Sequence, residues 1–130
     1  MGFQEKKNAE RILFKELRDK SSYVDRKNVK INVDLFIDKF FKKGITRNYI
    51  GIYWPLRNEV DIRNIRNKYS LALPRCEKNK RLTFCSWDDN QLKNDYEGIL
   101  APDSNDILSY REISMIFVPC LSVDRDFIRL

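Results

Sequence analysis

The sequence predicts an α/β fold with mostly parallel strands, and three observations predict it. Residues 5–20 place Ala9, Ile12, Leu13 and Leu17 at helical spacing within a strongly charged segment. The run Tyr49-Ile50-Gly51-Ile52-Tyr53-Trp54 is almost wholly apolar and is closed by Pro55, the pattern of a strand buried on both faces. Helix-like and strand-like segments then mix along one short chain, which is the order of an α/β architecture.

The elements follow in turn. The first helix is expected over residues 5–20, with Ser21 and Ser22 loosening the pattern after it. A second helix is expected over 33–41, where Val33, Phe36, Ile37, Phe40 and Phe41 fall at i, i+3, i+4, i+7 and i+8. Lys42 and Lys43 suit its negative end, and Gly44 suits the position after it. After the 49–54 strand, Asn58 reads as the cap of a further helix with Glu59 and Asp61 in its first turn. Leu71–Leu73 before Pro74, Leu82–Trp87 and Ile113–Val118 before Pro119 read as strands. Residues 88–112 are polar and read as loop with a short helix. No repeat, linker or low-complexity tract divides the 130 residues, so a single domain, 1–130, is expected.

Composition narrows the chemistry. There is no histidine, so the usual general base, metal ligand and near-neutral switch are absent from this sequence. Cys76, Cys85 and Cys120 are an odd, widely spaced set, read as free thiols and small buried hydrophobes in a reducing compartment. The formal charge of +6 favours an anionic partner, although no polybasic block stands out. The first residues lack an apolar signal core, and the run Met115–Val118 is too short to span a bilayer, so a cytoplasmic protein is expected.

Two groups of residues are candidates for a site. Lys7, Arg11 and Arg18 lie within about 40° of one another on a helix, opposite the Ala9/Ile12/Leu13/Leu17 face. Such a row, presented outward, suits a polyphosphate; it also reads as an ordinary solvated basic face. Trp54 and Glu59 follow the first buried strand, and ligands of open α/β sheets bind outside the carboxyl ends of strands. An aromatic face with a carboxylate suits a flat, amide-like heterocycle, while the plainer reading is a core tryptophan and a helix-start acid.

In order and spacing these features resemble the 5-formyltetrahydrofolate cyclo-ligase (methenyltetrahydrofolate synthetase) family over essentially the whole chain. The matching residues are Lys7, Arg11 and Arg18; Tyr53, Pro55 and Glu59-Val60-Asp61; Leu73-Pro74; Phe84 and Trp87; Gly98-Ile99 and Pro102; Val118-Pro119; Asp124; and Arg129-Leu130. Ala101, Ser114, Cys120 and Phe127 depart from the family pattern, the last standing where the family has glycine before x-Arg-Leu. The resemblance implies a three-layer Rossmann-like sheet and an ATP-dependent closure of 5-formyltetrahydrofolate to 5,10-methenyltetrahydrofolate. In that reaction ATP phosphorylates the formyl oxygen, the adjacent nitrogen attacks, and phosphate leaves. Positioning and charge neutralisation dominate such a transfer, so no histidine is required. By matched position Lys7, Arg11 and Arg18 would bind ATP, Trp54 and Glu59 the folate, and Arg129 the transferred phosphoryl group. The family also uses Mg²⁺ and a Gly-rich phosphate loop after Arg-Leu, so a monomer incomplete at its C-terminus, lacking the usual Mg²⁺ ligand, is expected.

Two other readings stand beside it. One is a catalytically degenerate remnant that retains folate or nucleotide binding, consistent with the four departures. The other is a small basic nucleic-acid-binding module, but Tyr49, Tyr53 and Trp87 sit in apolar runs and read as core, so nucleic acid is not the expected partner.

Overall fold

Two helices precede the sheet, and each is longer than its apolar pattern. The structure is a computed structural model that describes residues 2–41, 48–88 and 91–130. Helix α1 spans Phe3–Asp19, and the Glu5 carboxylate accepts the Gly2 amide at its start. Helix α2 spans Tyr23–Phe41, beginning ten residues before the expected stripe. Its start is a reciprocal cap: the Ser22 hydroxyl accepts the Asp25 amide, and the Asp25 carboxylate accepts the Ser22 amide, each at 3.1 Å. The expected end of this helix at Lys42, Lys43 and Gly44 lies outside the described residues.

Strands β1 (Tyr49–Gly51), β2 (Leu71–Cys76), β3 (Leu82–Ser86) and β6 (Ile113–Ile116) form one sheet in the order β3-β2-β1-β6. β1 runs parallel to both β2 and β6, and β3 is antiparallel to β2. The fold is therefore α/β with a mixed, mostly parallel central sheet, as expected. β4 (Leu92–Asn94) and β5 (Leu100–Pro102) form a separate antiparallel hairpin.

Ile50, Ile52, Leu71 and Leu73 from the sheet, Ile62 and Ile65 from the β1–β2 connection, Ile37 from α2 and Trp87 form the core cluster. β1 ends sooner than its apolar run, although the Ile52 amide still donates to Ala72. Gly51 is required in β1: a Cβ there would sit 2.9 Å from Ile116 Cγ1 and 3.1 Å from Phe84 Cε1. β2 runs on through Pro74 because pairing with β1 has already ended at Gly51–Ala72, which leaves that stretch an edge where a missing N–H is tolerated.

Three expectations are corrected. No α-helix lies between Asn58 and β2; Asn58 adopts φ +65°, the Glu59 amide closes a turn onto the Leu56 carbonyl, and the helical piece of this connection is a 3₁₀ turn at Arg63–Asn67. Asn tolerates the left-handed region, so the residue read as a cap serves a turn. Within 88–112, read as loop with a short helix, Tyr110–Glu112 is a short 3₁₀ helix, but residues 92–102 are a hairpin, organised by Asp95, whose Oδ1 accepts the Glu97 and Ile99 amides while Oδ2 accepts the Cys76 amide. Gly98 completes that turn at φ +78°. Finally, α1 is rotated from its expected setting. Lys7, Glu10, Arg11, Phe14 and Arg18 are its half-buried stripe, whereas Ile12, Leu13 and Leu17 are 62%, 52% and 54% exposed.

Among the described residues no helix is long and apolar enough to cross a membrane. The cysteines are free; Cys85 is buried, but Cys120 is exposed, unlike the buried position expected of it.

Candidate functional site

The inward stripe of α1 lines two neighbouring cavities. The C-terminal half of the helix, with Phe14, Leu17 and Arg18, borders a cleft of about 540 Å³. Val29 and Val33 of α2, Tyr53, Val60 and Ile62 after β1, and Phe117–Leu121 after β6 complete an apolar lining broken by a few charges. The N-terminal half, with Phe3, Lys6, Lys7 and Glu10, borders a second cavity of about 310 Å³ against Ser122, Asp124 and Ile128–Leu130. Thus α1 and residues 117–130 run along both, one largely apolar and one where three cations, Lys6, Lys7 and Arg129, outnumber two carboxylates, Glu10 and Asp124.

The turn carrying Glu59 is gripped from both helices. Asn58 Nδ2 donates to Asp19 Oδ1 at the end of α1 at 2.6 Å, and Arg26 Nη2 of α2 donates to the Asn58 carbonyl at 3.0 Å. Glu59 Oε1 accepts the Leu56 amide at 2.8 Å. Its other oxygen lies 4.0 Å from Arg18 Nη1, in a site where the Glu59 side chain is only 14% exposed. That separation is an ion pair without a hydrogen bond. Arg18 Nε is buried and has no hydrogen-bond partner.

The Tyr53 hydroxyl donates to the Val60 carbonyl at 2.5 Å and fixes the far wall. Burial, reinforced by the nearby Glu59 and Asp61 carboxylates, pushes its phenol up to about 12, so it stays neutral. Asp61 is turned away onto Arg63, to which it presents both oxygens at 2.8 and 2.7 Å. This hydrogen-bonded pairing holds the Asp61 carboxyl below its ordinary value.

The sequence candidates are divided between these places. Lys7 and Arg129 share the basic cavity, and Arg129 Nη1 donates to the Pro119 carbonyl at 3.4 Å. Arg18 and Glu59 share the apolar cleft, so Arg18 is separated from Lys7 along the helix. Arg11 is half-buried between them and lines neither cavity. The expected outward row of Lys7, Arg11 and Arg18 is therefore an inward one, because Arg18 meets Glu59 and Lys7 meets the Ser122–Leu130 segment.

Trp54 does not face Glu59 across one crevice. It packs on the core cluster, edge-on to Trp87 at 5.8 Å between centroids, with the Arg63 guanidinium 4.2 Å over its ring. The chain turns between Trp54 and Glu59, and this sends the two side chains to different places.

Several lining residues escaped sequence reading. Phe14 continues the Lys7/Arg11/Arg18 stripe and was legible from it. Arg26 sits in the unread first turns of α2, and the Ser22/Asp25 cap was its only signal. Lys6 and Ser122 carry no local signal.

Asp124 builds the loop that delivers Arg129. Its Oδ1 accepts the Asp126 and Ile128 amides at 2.9 Å each, and its own amide donates to the Ile128 carbonyl at 3.1 Å. Val123 then pairs with Arg129 in an antiparallel bridge. Among the described residues, no cluster of three or more His, Cys, Asp or Glu side chains is placed to hold a metal.

No protein-family model and no curated protein sequence matches the chain. Among solved structures, the fold matches the NMR structure of Aquifex aeolicus 5,10-methenyltetrahydrofolate synthetase with a TM-score of 0.60 at 23% sequence identity. The match covers 86% of this chain and 63% of that one, so this chain spans under two thirds of the length of its structural neighbour. At that identity the likeness is one of fold: this chain folds like a methenyltetrahydrofolate synthetase.

Proposed function

We propose that the chain is a folate-binding protein of the 5-formyltetrahydrofolate cyclo-ligase type, closing 5-formyltetrahydrofolate to 5,10-methenyltetrahydrofolate at the expense of ATP. One observation carries this reading: α1 runs along an apolar cleft containing Glu59 and, next to it, a basic cavity containing Lys7 and Arg129. Lys7 and Arg18 are eleven residues apart, about 16 Å along a helix. That spacing suits a heterocycle and a polyphosphate lying end to end. The neighbour's fold supports the same reading.

In this reaction the γ-phosphoryl group passes from ATP to the formyl oxygen, releasing ADP. The neighbouring nitrogen attacks the formyl carbon, and the C–O bond breaks as phosphate leaves with the former formyl oxygen. Lys7, with Arg11 beside it, and Arg129 serve the phosphates by neutralising charge. Glu59 accepts N–H groups of the heterocycle, and Tyr53 and Phe14 supply apolar walls. Trp54 lines neither cavity and enters this reading only as a buttress of the strand end that leads to Glu59. Mg²⁺ accompanies ATP in such transfers, and among the described residues no cluster of three or more His, Cys, Asp or Glu side chains stands ready to hold it.

The test is incubation of the chain with 5-formyltetrahydrofolate, ATP and Mg²⁺, following methenyl-folate absorbance. An ATP-dependent rise, reduced at least tenfold in Lys7→Ala, is expected. A flat trace at high protein concentration overturns the catalytic claim. A second reading, binding without turnover, is favoured by Phe127, which holds φ +62° in the loop delivering Arg129. Under that reading the trace stays flat while 5-formyltetrahydrofolate still binds in a titration.

A further inference from the structure

The Arg18–Glu59 pair is held apart. Nη1 and Oε2 stand at 4.0 Å, Glu59 has spent its other oxygen on the Leu56 amide, and Arg18 Nε is buried without an acceptor. A buried N–H with no acceptor is costly, and a guanidinium never sheds its proton to relieve it. Both groups border the same cleft, whose remaining wall here is largely apolar: Phe14, Leu17, Val33 and Ile62. Of the other charged residues on its wall, Asp25 accepts the Ser22 amide and Arg26 donates to the Asn58 carbonyl, which leaves Arg18 and Glu59 as a cationic donor and an anionic acceptor side by side. A ligand satisfying both must carry an acceptor and a donor on one edge, which is the pattern of a cyclic amide.

We propose that Arg18 is a specificity-determining residue of the cleft, donating to the ring carbonyl of a lactam-edged heterocycle whose adjacent N–H is taken by Glu59. This rests on the heterocycle-binding reading of the cleft and adds a selection rule to it. A pteridine with an oxo group at this edge satisfies both residues. Its amino counterpart places an NH₂ against the guanidinium, donor against donor, and turns a bare ring nitrogen, acceptor against acceptor, toward Glu59. Arg18 then reads the substrate's edge and is separate from the phosphate-binding cations.

The experiment compares folic acid, which carries the oxo group, with aminopterin, which carries an amino group in its place, in equilibrium titrations without ATP. The wild-type chain should prefer folic acid by about 10- to 100-fold, the range expected of one hydrogen bond to a charged group. Arg18→Met should lower the ratio at least threefold, mainly by weakening folic acid, and the preference that remains belongs to Glu59 and the ring N–H that aminopterin lacks. Arg18→Lys, which keeps the charge without the planar fork, should retain only part of the preference, and it decides the matter if the methionine variant melts below the assay temperature. A wild-type ratio near one, or an unchanged ratio in both variants, overturns the role of Arg18 while leaving the cleft as a pteridine site. Binding of neither compound overturns the heterocycle-binding reading and the selection rule with it.

Discussion

Phe127 occupies the one position in the Asp124–Arg129 loop that adopts a left-handed backbone, at φ +62°, with its ring 88% exposed. Outside glycine, that conformation brings Cβ against the carbonyl and costs about 1–2 kcal/mol. The ring wins back little in packing at such exposure. The loop persists because Asp124 closes it with both a carboxylate and a backbone pairing. Replacing Phe127 by glycine should therefore tighten the loop by about 0.5–1 kcal/mol, the strain relieved exceeding the entropy glycine adds to the unfolded chain. Hydrogen exchange reads this directly: the Ile128 and Leu130 amides, bonded to Asp124 Oδ1 and the Ser122 carbonyl, should exchange about two- to fivefold more slowly in Phe127→Gly. Equal or faster exchange would mean that the backbone there is unstrained.

At the scale of elements, the close approach of β1, β6 and β3 depends on Gly51. A methyl group at Gly51 meets Ile116 at 2.9 Å and Phe84 at 3.1 Å, below ordinary contact, and Ile116 lies on the strand paired with β1. Gly51→Ala should lower stability by about 1–3 kcal/mol through this overpacking, and urea denaturation measures it. Pairing it with Ile116→Ala, which removes the closest atom, should cost less than the sum of the two single changes; strict additivity would place the strain elsewhere. These elements also mark where the sequence was legible. The run Tyr49–Trp54 announces β1 because its apolar residues occupy successive positions and so cover both faces, and Leu82–Ser86 announces β3 by alternation. The first turns of α2 were hidden because Tyr23, Val24 and Val29 lie in a stretch with no apolar stripe, leaving only the Ser22/Asp25 cap. The 92–102 hairpin was hidden because its strands are three residues each and its turn depends on Asp95 bonding at long range to the Cys76 amide. Of the site, the residue types were legible, but their partition was not. Nothing local says that the Leu56–Glu59 turn separates Trp54 from Glu59, or that Arg18 and Lys7 serve different cavities.

Across the whole molecule, surface is in excess. The chain exposes 9829 Å², whereas a compact monomer of 15.6 kDa is expected to expose about 7,300 Å². Much of the difference is apolar and lies on the helices: Phe3, Ile12, Leu13, Leu17, Val24, Leu35 and Phe36 are each more than half exposed. Helix α1 has no buried residue at all. Its periodicity alone places Ile12 and Leu13 in the core, whereas the Arg18–Glu59 pair and the Asp19–Asn58 bond set the opposite face inward. The two orientations make contrary predictions for Ile12→Lys/Leu13→Glu, a change that keeps the net charge. If those side chains face the core, inserting two charges there must cost well over 2 kcal/mol and collapse the thermal transition. With the orientation described here, the melting free energy should stay within about 0.5 kcal/mol of the parent, since both replacements are good helix formers on a solvent face. At the same time the dye 8-anilinonaphthalene-1-sulfonate, which reports exposed apolar surface, should bind the parent under native conditions and bind the double variant at least twofold more weakly. A large loss of stability in the variant, or no dye binding by the folded parent, would return Ile12 and Leu13 to the interior and take Arg18 out of the cleft.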